Sequence, residues 1–454
     1  MAKHRLSSLP CLVFLLYVSC AVLYTTNLLL LAPLKVIWTI FLHRTSTVVR
    51  ERIHYSPVQR QFLSSLEELR AYRGTINWSS SEIALAHHLG HAQPIAMDED
   101  LFLSKAFSNS LRPSKIIPYF FRARETFSTQ DITITTLITR NRLKVFMRLV
   151  EQYQGPISVT IHVKDNEDYV NELLDALRVI YASSEKLARF VDVHLVIDPF
   201  DRQFNTWRNI ARLFARTDYV MMLDIDFYLC TDFRSAIRQN TDIMDKLREG
   251  QSAFVVPAFE YTDFADGMNP ASFPRNKPTL VSLSRRDRIR MFHAAWGPGH
   301  NSTDYPKYYA SRPGAVYKVT RYQPAYEPYI IFKKEGPPWC DERFVGYGGN
   351  KAACLFEMYM SGISFYVLAD HFIIHQNHLY EEMVRKSERK YNRKVYQDFK
   401  EEVCLRYLKN YYDHGILYTE RGTNVREECK KIKGVTKMIS VASRFAFVTA
   451  RILT

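Results

Sequence analysis

The sequence predicts an α/β fold with a mainly parallel central sheet, set behind an N-terminal membrane-spanning helix, and three observations carry that prediction. From about residue 130, short β-branched runs alternate with helical stretches, the pattern of βαβ units. Such alternation implies a parallel sheet covered by helices on both faces. Residues Pro10 to Ala32 carry no charge, and about 20 such residues span a bilayer core as a helix. The 454 residues are 47% apolar and 24% charged, which excludes a disordered chain, a collagen-like fibre and a disulfide-dense miniprotein.

In chain order, residues 1–9 form a short tail and residues 10–32, including Leu28-Leu29-Leu30-Leu31, form an uncleaved signal anchor. The apolar run is too long for a secretory signal peptide. Lys3 and Arg5 precede it and Lys35, Arg44, Arg50 and Arg52 follow it, so the flanking charges favour a cytoplasmic C-terminal side. Two sequons, Asn77-Trp78-Ser79 and Asn301-Ser302-Thr303, point instead to a lumen, where Asn77 and Asn301 are candidate glycosylation sites. Residues 33–95 are polar, lack a sustained apolar period and read as a stem.

Residues 96–415 form the predicted catalytic domain. Its strands are Ile132 to Ile138, Ile157 to Val163, Val193 to Ile197, Tyr219 to Leu223 and Ala253 to Val256. Helices are predicted over Arg142 to Gln152, Tyr169 to Tyr181 and Thr206 to Ala215, the last with Trp207, Ile210, Leu213 and Phe214 on one face. The Pro-, Tyr- and Gly-rich stretch from about 260 to 340 reads as long loops over the ligand-binding edge of the sheet, and Met383 to Tyr411 as a charged helix. Residues 416–454 form a basic tail, in which Val441 to Leu453 is apolar enough to dock on the domain. There is no internal repeat.

A formal charge of +14 points to an anionic partner. No zinc-finger spacing or RNA-recognition motif accompanies it, so nucleic acid is not the expected partner. Of seven cysteines, Cys11 and Cys20 lie in the anchor. The other five (Cys230, Cys340, Cys354, Cys404 and Cys429) contain no CxxC pair and allow at most two disulfides, whose pairing the spacing leaves open.

The chemistry concentrates where the strand Tyr219 to Leu223 runs into Asp224-Ile225-Asp226. At strand spacing, residues i and i+2 project to one face, so the two carboxylates are expected to converge. Hard oxygen ligands of this kind suit Mn²⁺ or Mg²⁺ bound to the phosphates of a nucleotide. Phe372-Ile373-Ile374-His375 is a second apolar strand, and it ends in an imidazole that supplies a third ligand. His378 follows it, as an acceptor-side group or a support to the metal ligands.

The blocks around these residues resemble glycosyltransferase family 49, the family of the LARGE-type glucuronyltransferase domain and the β1,4-glucuronyltransferase. They run in order: Asn205-Thr206-Trp207-Arg208-Asn209, Asp224-Ile225-Asp226-Phe227, Val255-Val256-Pro257-Ala258-Phe259-Glu260, Gly299-His300 with Thr303, Glu327-Pro328-Tyr329, Asp341 with Arg343 to Gly348, Asn350-Lys351, and Ile374-His375 with His378. The resemblance implies a GT-A, Rossmann-like fold, a single-pass type II Golgi or ER membrane protein with a luminal domain, Mn²⁺, and inverting transfer from a nucleoside-diphosphate sugar. By the same resemblance the donor is UDP-linked, with glucuronic acid as the sugar and a glycan or glycoprotein as acceptor. It carries Asp224, Asp226 and His375 over as metal ligands, and Asn205, Arg208, Asn209 and Asp224 as cofactor-binding residues. Inversion needs a carboxylate to deprotonate the acceptor hydroxyl; Asp341 is the first choice, Glu342 and Glu260 the reserves. His300 and Thr303 are sugar contacts. The competing expectation is a membrane-anchored glycan- or nucleotide-binding protein of the same fold without turnover.

Overall fold

A computed structural model of the chain describes residues 115–139, 142–164, 167–198, 202–378 and 382–437. The expected anchor, the stem, Asn77 and the distal tail lie outside these. Among the described residues, no helix is long and apolar enough to cross a membrane.

The chain lays down strands β1 (Lys115–Phe121) and β2 (Ile132–Ile138), helix α1 (Leu143–Tyr153), strands β3 (Ile157–Lys164) and β4 (Val191–Asp198), and helix α2 (Phe204–Leu213). Next come β5 (Tyr219–Met222), β6 (Phe227–Leu229), β7 (Ser252–Val256), β8 (Ala258–Tyr261), β9 (Ile289–Met291), β10 (Val316–Lys318) and β11 (Tyr329–Lys333). Helix α3 (Asn350–Met360), β12 (Ser364–Leu368), β13 (Ile373–His375) and the long helix α4 (Glu382–Asp413) complete the frame that positions the site.

Nine strands form one sheet in the order β1-β4-β3-β2-β5-β11-β7-β12-β10, and four form a second, β6-β13-β8-β9. The predicted strands and helices are present, but the sheet is mixed rather than mainly parallel. Pairings β2–β3, β3–β4, β2–β5 and β7–β12 are parallel. Strand β11 runs antiparallel between β5 and β7, and β1 and β10 cap the edges antiparallel. β11 falls in the stretch expected to be loop. Its five residues carry no signal of direction, and burial on both faces turns a short apolar run into a central strand.

Helix α2 shows how the sheet is covered. Trp207, Ile210 and Ala211 are fully buried against β2 and β3. Two β3 hydroxyls tie it down: Thr160 donates to the Trp207 carbonyl at 2.9 Å and Ser158 to that of Ala211 at 2.6 Å. A buried polar face is thereby satisfied inside an otherwise apolar layer.

The domain does not end at residue 415. Val425, Ile432 and Val435 are buried in the same core as β7, β12 and α3, and Cys404 is disulfide-bonded to Cys429. The second disulfide joins Cys340 to Cys354, and Cys230 stays free and buried. The Cys340–Cys354 bridge brackets the segment that turns into α3. There Gly346, Gly348 and Gly349 all have positive φ (83°, 96° and 72°), a region L-residues avoid. At Gly348 a Cβ would also lie 2.9 Å from Arg389 Cγ and 3.0 Å from its Cα, so α4 packs directly on glycine backbone.

Candidate active site

The Asp224-Ile225-Asp226 segment lies not on a strand but on the turn between β5 and β6. The strand-spacing expectation therefore fails, and the turn sends the two carboxylates to different partners. Asp224 accepts from Lys351 Nζ at 3.0 Å, Arg208 at 3.1 Å and the Tyr329 hydroxyl at 2.9 Å. These cations hold its carboxyl well below the usual carboxylate range, against a burial effect that alone would raise it. Asp226 faces the other way, to Arg142 at 3.2 Å and His378 Nε2 at 3.2 Å.

Three side chains converge at Asp226. The ligand atoms of Asp226, His375 and His378 all lie within 4.8 Å of one another. The grouping follows from the second sheet: β13 pairs with β6 so that His375 stands opposite Phe227, next to Asp226, and His378 follows three residues later. Phe227 and Phe292 pack edge-on and tilted against the His375 ring at 5.3 and 4.8 Å. Burial lowers the His375 pKa to about 4, so the imidazole is neutral at physiological pH and can donate a lone pair. One carboxylate and two imidazoles are a donor set for a divalent transition-metal ion, in which the carboxylate suits Mn²⁺ and the imidazoles suit the later metals. Asp224 is not part of this group.

These residues line a cleft of about 1110 Å³ together with Arg208, Glu260, Glu327, Tyr329, Lys351, Trp296 and the α4 arginines Arg385, Arg389 and Arg393. Lys351 is 6% exposed and sits in the first turn of α3. A cation there opposes the helix dipole, at a cost of about 0.3–1 kcal/mol. Asp224 and Glu327 offset this electrostatically, while burial lowers the Lys351 pKa. Glu327 is raised by burial, with Lys351 pulling the other way.

Several expected contacts lie elsewhere. Asn205 and Asn209 are buried clamps outside the cleft lining. Asn205 donates to the carbonyls of Asp341 and Asn350, and Asn209 to the Cys340 carbonyl and Glu342 Oε1. They pin the segment before α3, and the Asn205 Oδ1 also accepts from Arg208 at 3.0 Å. Asp341 is gripped by Arg343 at 2.7 and 3.0 Å, and neither it nor Glu342 lines the cleft. Burial pushes the Glu342 carboxyl up. His300 is buried between Phe292 and Tyr329 with its pKa pushed far down by desolvation. Thr303 is buried with its hydroxyl 2.8 Å from that of Tyr326. Of the predicted set, Arg208, Asp224, Asp226, Glu260, His375 and His378 line the cleft, and Asn301 is exposed.

Arg142, Tyr329, Lys351 and Glu327 were not singled out from sequence as functional. Glu327, Tyr329 and Lys351 stand in the resembling blocks, without a role assigned to them there.

Family comparison matches the model described as Glycosyl-transferase for dystroglycan over residues 131–204 and 200–408. Among curated proteins, the chain is 28% identical over 257 residues to the xylosyl- and glucuronyltransferase LARGE2s of Gallus gallus, covering 55% of this chain and 32% of that protein. It is 28% identical over 292 residues to the glycosyltransferase-like protein LARGE of Caenorhabditis elegans, covering 62% and 42% respectively. The chain thus spans about a third to two fifths of the length of these relatives. A mannosyltransferase from Pyrobaculum calidifontis, solved with GDP-Man and Mn²⁺, aligns at a TM-score of 0.31 and 10% identity over 76% of this chain and 87% of its own, too slight a likeness to carry an argument.

Proposed function

This chain belongs to the glycosyltransferase family whose model describes glycosyl-transferases for dystroglycan, and on that premise we propose that it is a metal-dependent, inverting glycosyltransferase of GT-A type. It moves a sugar from a nucleoside-diphosphate donor to a glycan acceptor. The observation that carries the reading is the convergence of Asp226, His375 and His378 within 4.8 Å in a cleft that also holds Lys351 and Arg208. Asp226, His375 and His378 would hold Mn²⁺. Such an ion, when bound, neutralises charge on a departing diphosphate.

The chain's own residues do the rest. Lys351 and Arg208, oriented by Asp224, present cations to phosphate or to a donor carboxylate. The name of the avian relative, xylosyl- and glucuronyltransferase, supports UDP-glucuronic acid as the first donor to test. Inversion needs a carboxylate facing the acceptor hydroxyl. We assign Glu260 in place of Asp341, because Glu260 lines the cleft on β8, the strand beside the one that carries His375. It takes the acceptor proton as the hydroxyl oxygen attacks. Two disulfides and the exposed Asn301 support a domain in the secretory lumen, most simply the Golgi, with residues 10–32 as its membrane anchor.

The test is UDP release from UDP-sugars with and without Mn²⁺ in the wild type and Asp226→Asn. Metal-dependent turnover that the substitution abolishes supports the proposal. Undiminished turnover in Asp226→Asn removes the metal assignment, and Mn²⁺-dependent UDP binding without turnover of any donor favours a binding protein.

A further inference from the structure

Trp is a residue that folded chains mostly cover, yet Trp296 is 61% exposed. Of the exposed large apolar side chains among the described residues, it is the one that lines the cleft. Trp339, the other exposed tryptophan among the described residues, is covered by the Arg212 guanidinium at 4.3 Å and lies outside the cleft lining.

The chain holds Trp296 in place by its backbone. It follows β9 through Phe292, whose ring packs 4.8 Å from that of His375. His293 then adopts φ 53°, the Ala294 N–H donates to Glu260 Oε1 at 3.4 Å, and the Trp296 N–H donates to the His293 carbonyl at 2.7 Å. Gly299 is buried beneath, where a Cβ would meet Trp296 Cδ1 at 3.4 Å. An indole is thus presented to solvent on a loop anchored to the proposed proton acceptor and to the His375 side of the site.

The two ends of the cleft differ. Thr139, His162, Phe204 and Trp207 line it where β2, β3 and α2 meet, near the carboxyl ends of parallel strands, where nucleotides bind in such sheets. Trp296 instead leaves the edge strand of the second sheet. We propose that Trp296 is the acceptor platform: its indole face stacks against a pyranose that presents axial C–H bonds, and this sets the acceptor hydroxyl toward Glu260. The inference rests on the glycosyltransferase reading above and adds to it the chemistry of the acceptor subsite.

The test is saturation-transfer NMR on the full chain with methyl β-D-glucopyranoside, with and without UDP and Mn²⁺, alongside calorimetry of UDP binding. Saturation should concentrate on the axial ring protons H1, H3 and H5. In Trp296→Ala glycoside affinity should fall about three- to tenfold, the usual worth of an aromatic contact, with UDP affinity unchanged; Trp296→Phe should retain part of it. Equal saturation in Trp296→Ala, no saturation in the wild type, or a parallel loss of UDP affinity (a nucleobase on the ring) would overturn the proposal. Failure of the wild type to bind UDP with Mn²⁺ would count against the active-site reading instead, while the nucleotide-free glycoside arm still decides the role of Trp296.

Discussion

Asp224 and Asp226 lie two residues apart in one turn, and the structure predicts that neutralising them has opposite consequences. Asp224 is the common acceptor for Lys351 and Arg208, whose side chains are 6% and 11% exposed. Asp224→Asn removes the carboxylate that both cations bond, leaving only the more distant Glu327 to balance them. Breaking a buried pair by removing one partner costs about 3–5 kcal/mol. Because 34% of the Asp224 side chain meets solvent, the low end, about 3 kcal/mol, applies. At roughly 2 °C per kcal/mol for a large domain, the melting temperature should fall by about 6 °C. Asp226 has a single arginine partner, and both side chains are 23% exposed, so Asp226→Asn should cost about 1 kcal/mol or less. It should nevertheless abolish Mn²⁺-dependent UDP binding. Differential scanning calorimetry and isothermal titration of UDP with Mn²⁺ read the two effects separately. Equal melting temperatures in the two variants, or retained metal-dependent binding in Asp226→Asn, would refute the division of labour.

Glu260→Gln should lower kcat by about 10²–10⁴-fold with UDP affinity unchanged, whereas Asp341→Asn, which only releases Arg343, should leave kcat near that of the wild type; steady-state kinetics on both decides between them. Gly348→Ala should destabilise the fold by about 1–3 kcal/mol in urea denaturation, because φ is 96° and the new Cβ meets Arg389. His194 is buried, accepting the Tyr119 N–H at Nδ1 and lying 3.0 Å from Ser158 Oγ through Nε2. Ser158 gives its own proton to the Ala211 carbonyl, so Nε2 is the donor and the imidazole is neutral. Burial lowers its pKa from 6.5 to about 3. As pH falls between those values the unfolded chain takes up a proton that the folded chain refuses. Stability is therefore lost toward acid, by up to about 1.4 kcal/mol per pH unit from this group. In His194→Gln the slope of unfolding free energy against pH should flatten between about pH 4 and pH 6 by most of that amount; an unchanged slope would count against it.

Local pattern was enough for the strands β2 to β5 and β7 and for the helices between them, because their apolar periods and lengths are properties of the segments themselves. The same holds for the apolar strand that ends in His375. The direction of β11 is different in kind: Tyr329–Lys333 would read the same in a parallel or antiparallel pairing, and only its neighbours β5 and β7 decide.

Local sequence alone determined most of the segments that become strands and helices, and that His375 comes at a strand end, because backbone preference and side-chain periodicity act within a few residues. Tertiary structure alone decided that Lys351 comes from 127 positions away to claim Asp224, that His378 replaces Asp224 beside His375, and that Asn205, Asn209, His300 and Thr303 support the site from behind. Charges and hydrogen bonds act through space over a few ångströms, and the distance between two side chains is written only when the sheets are assembled.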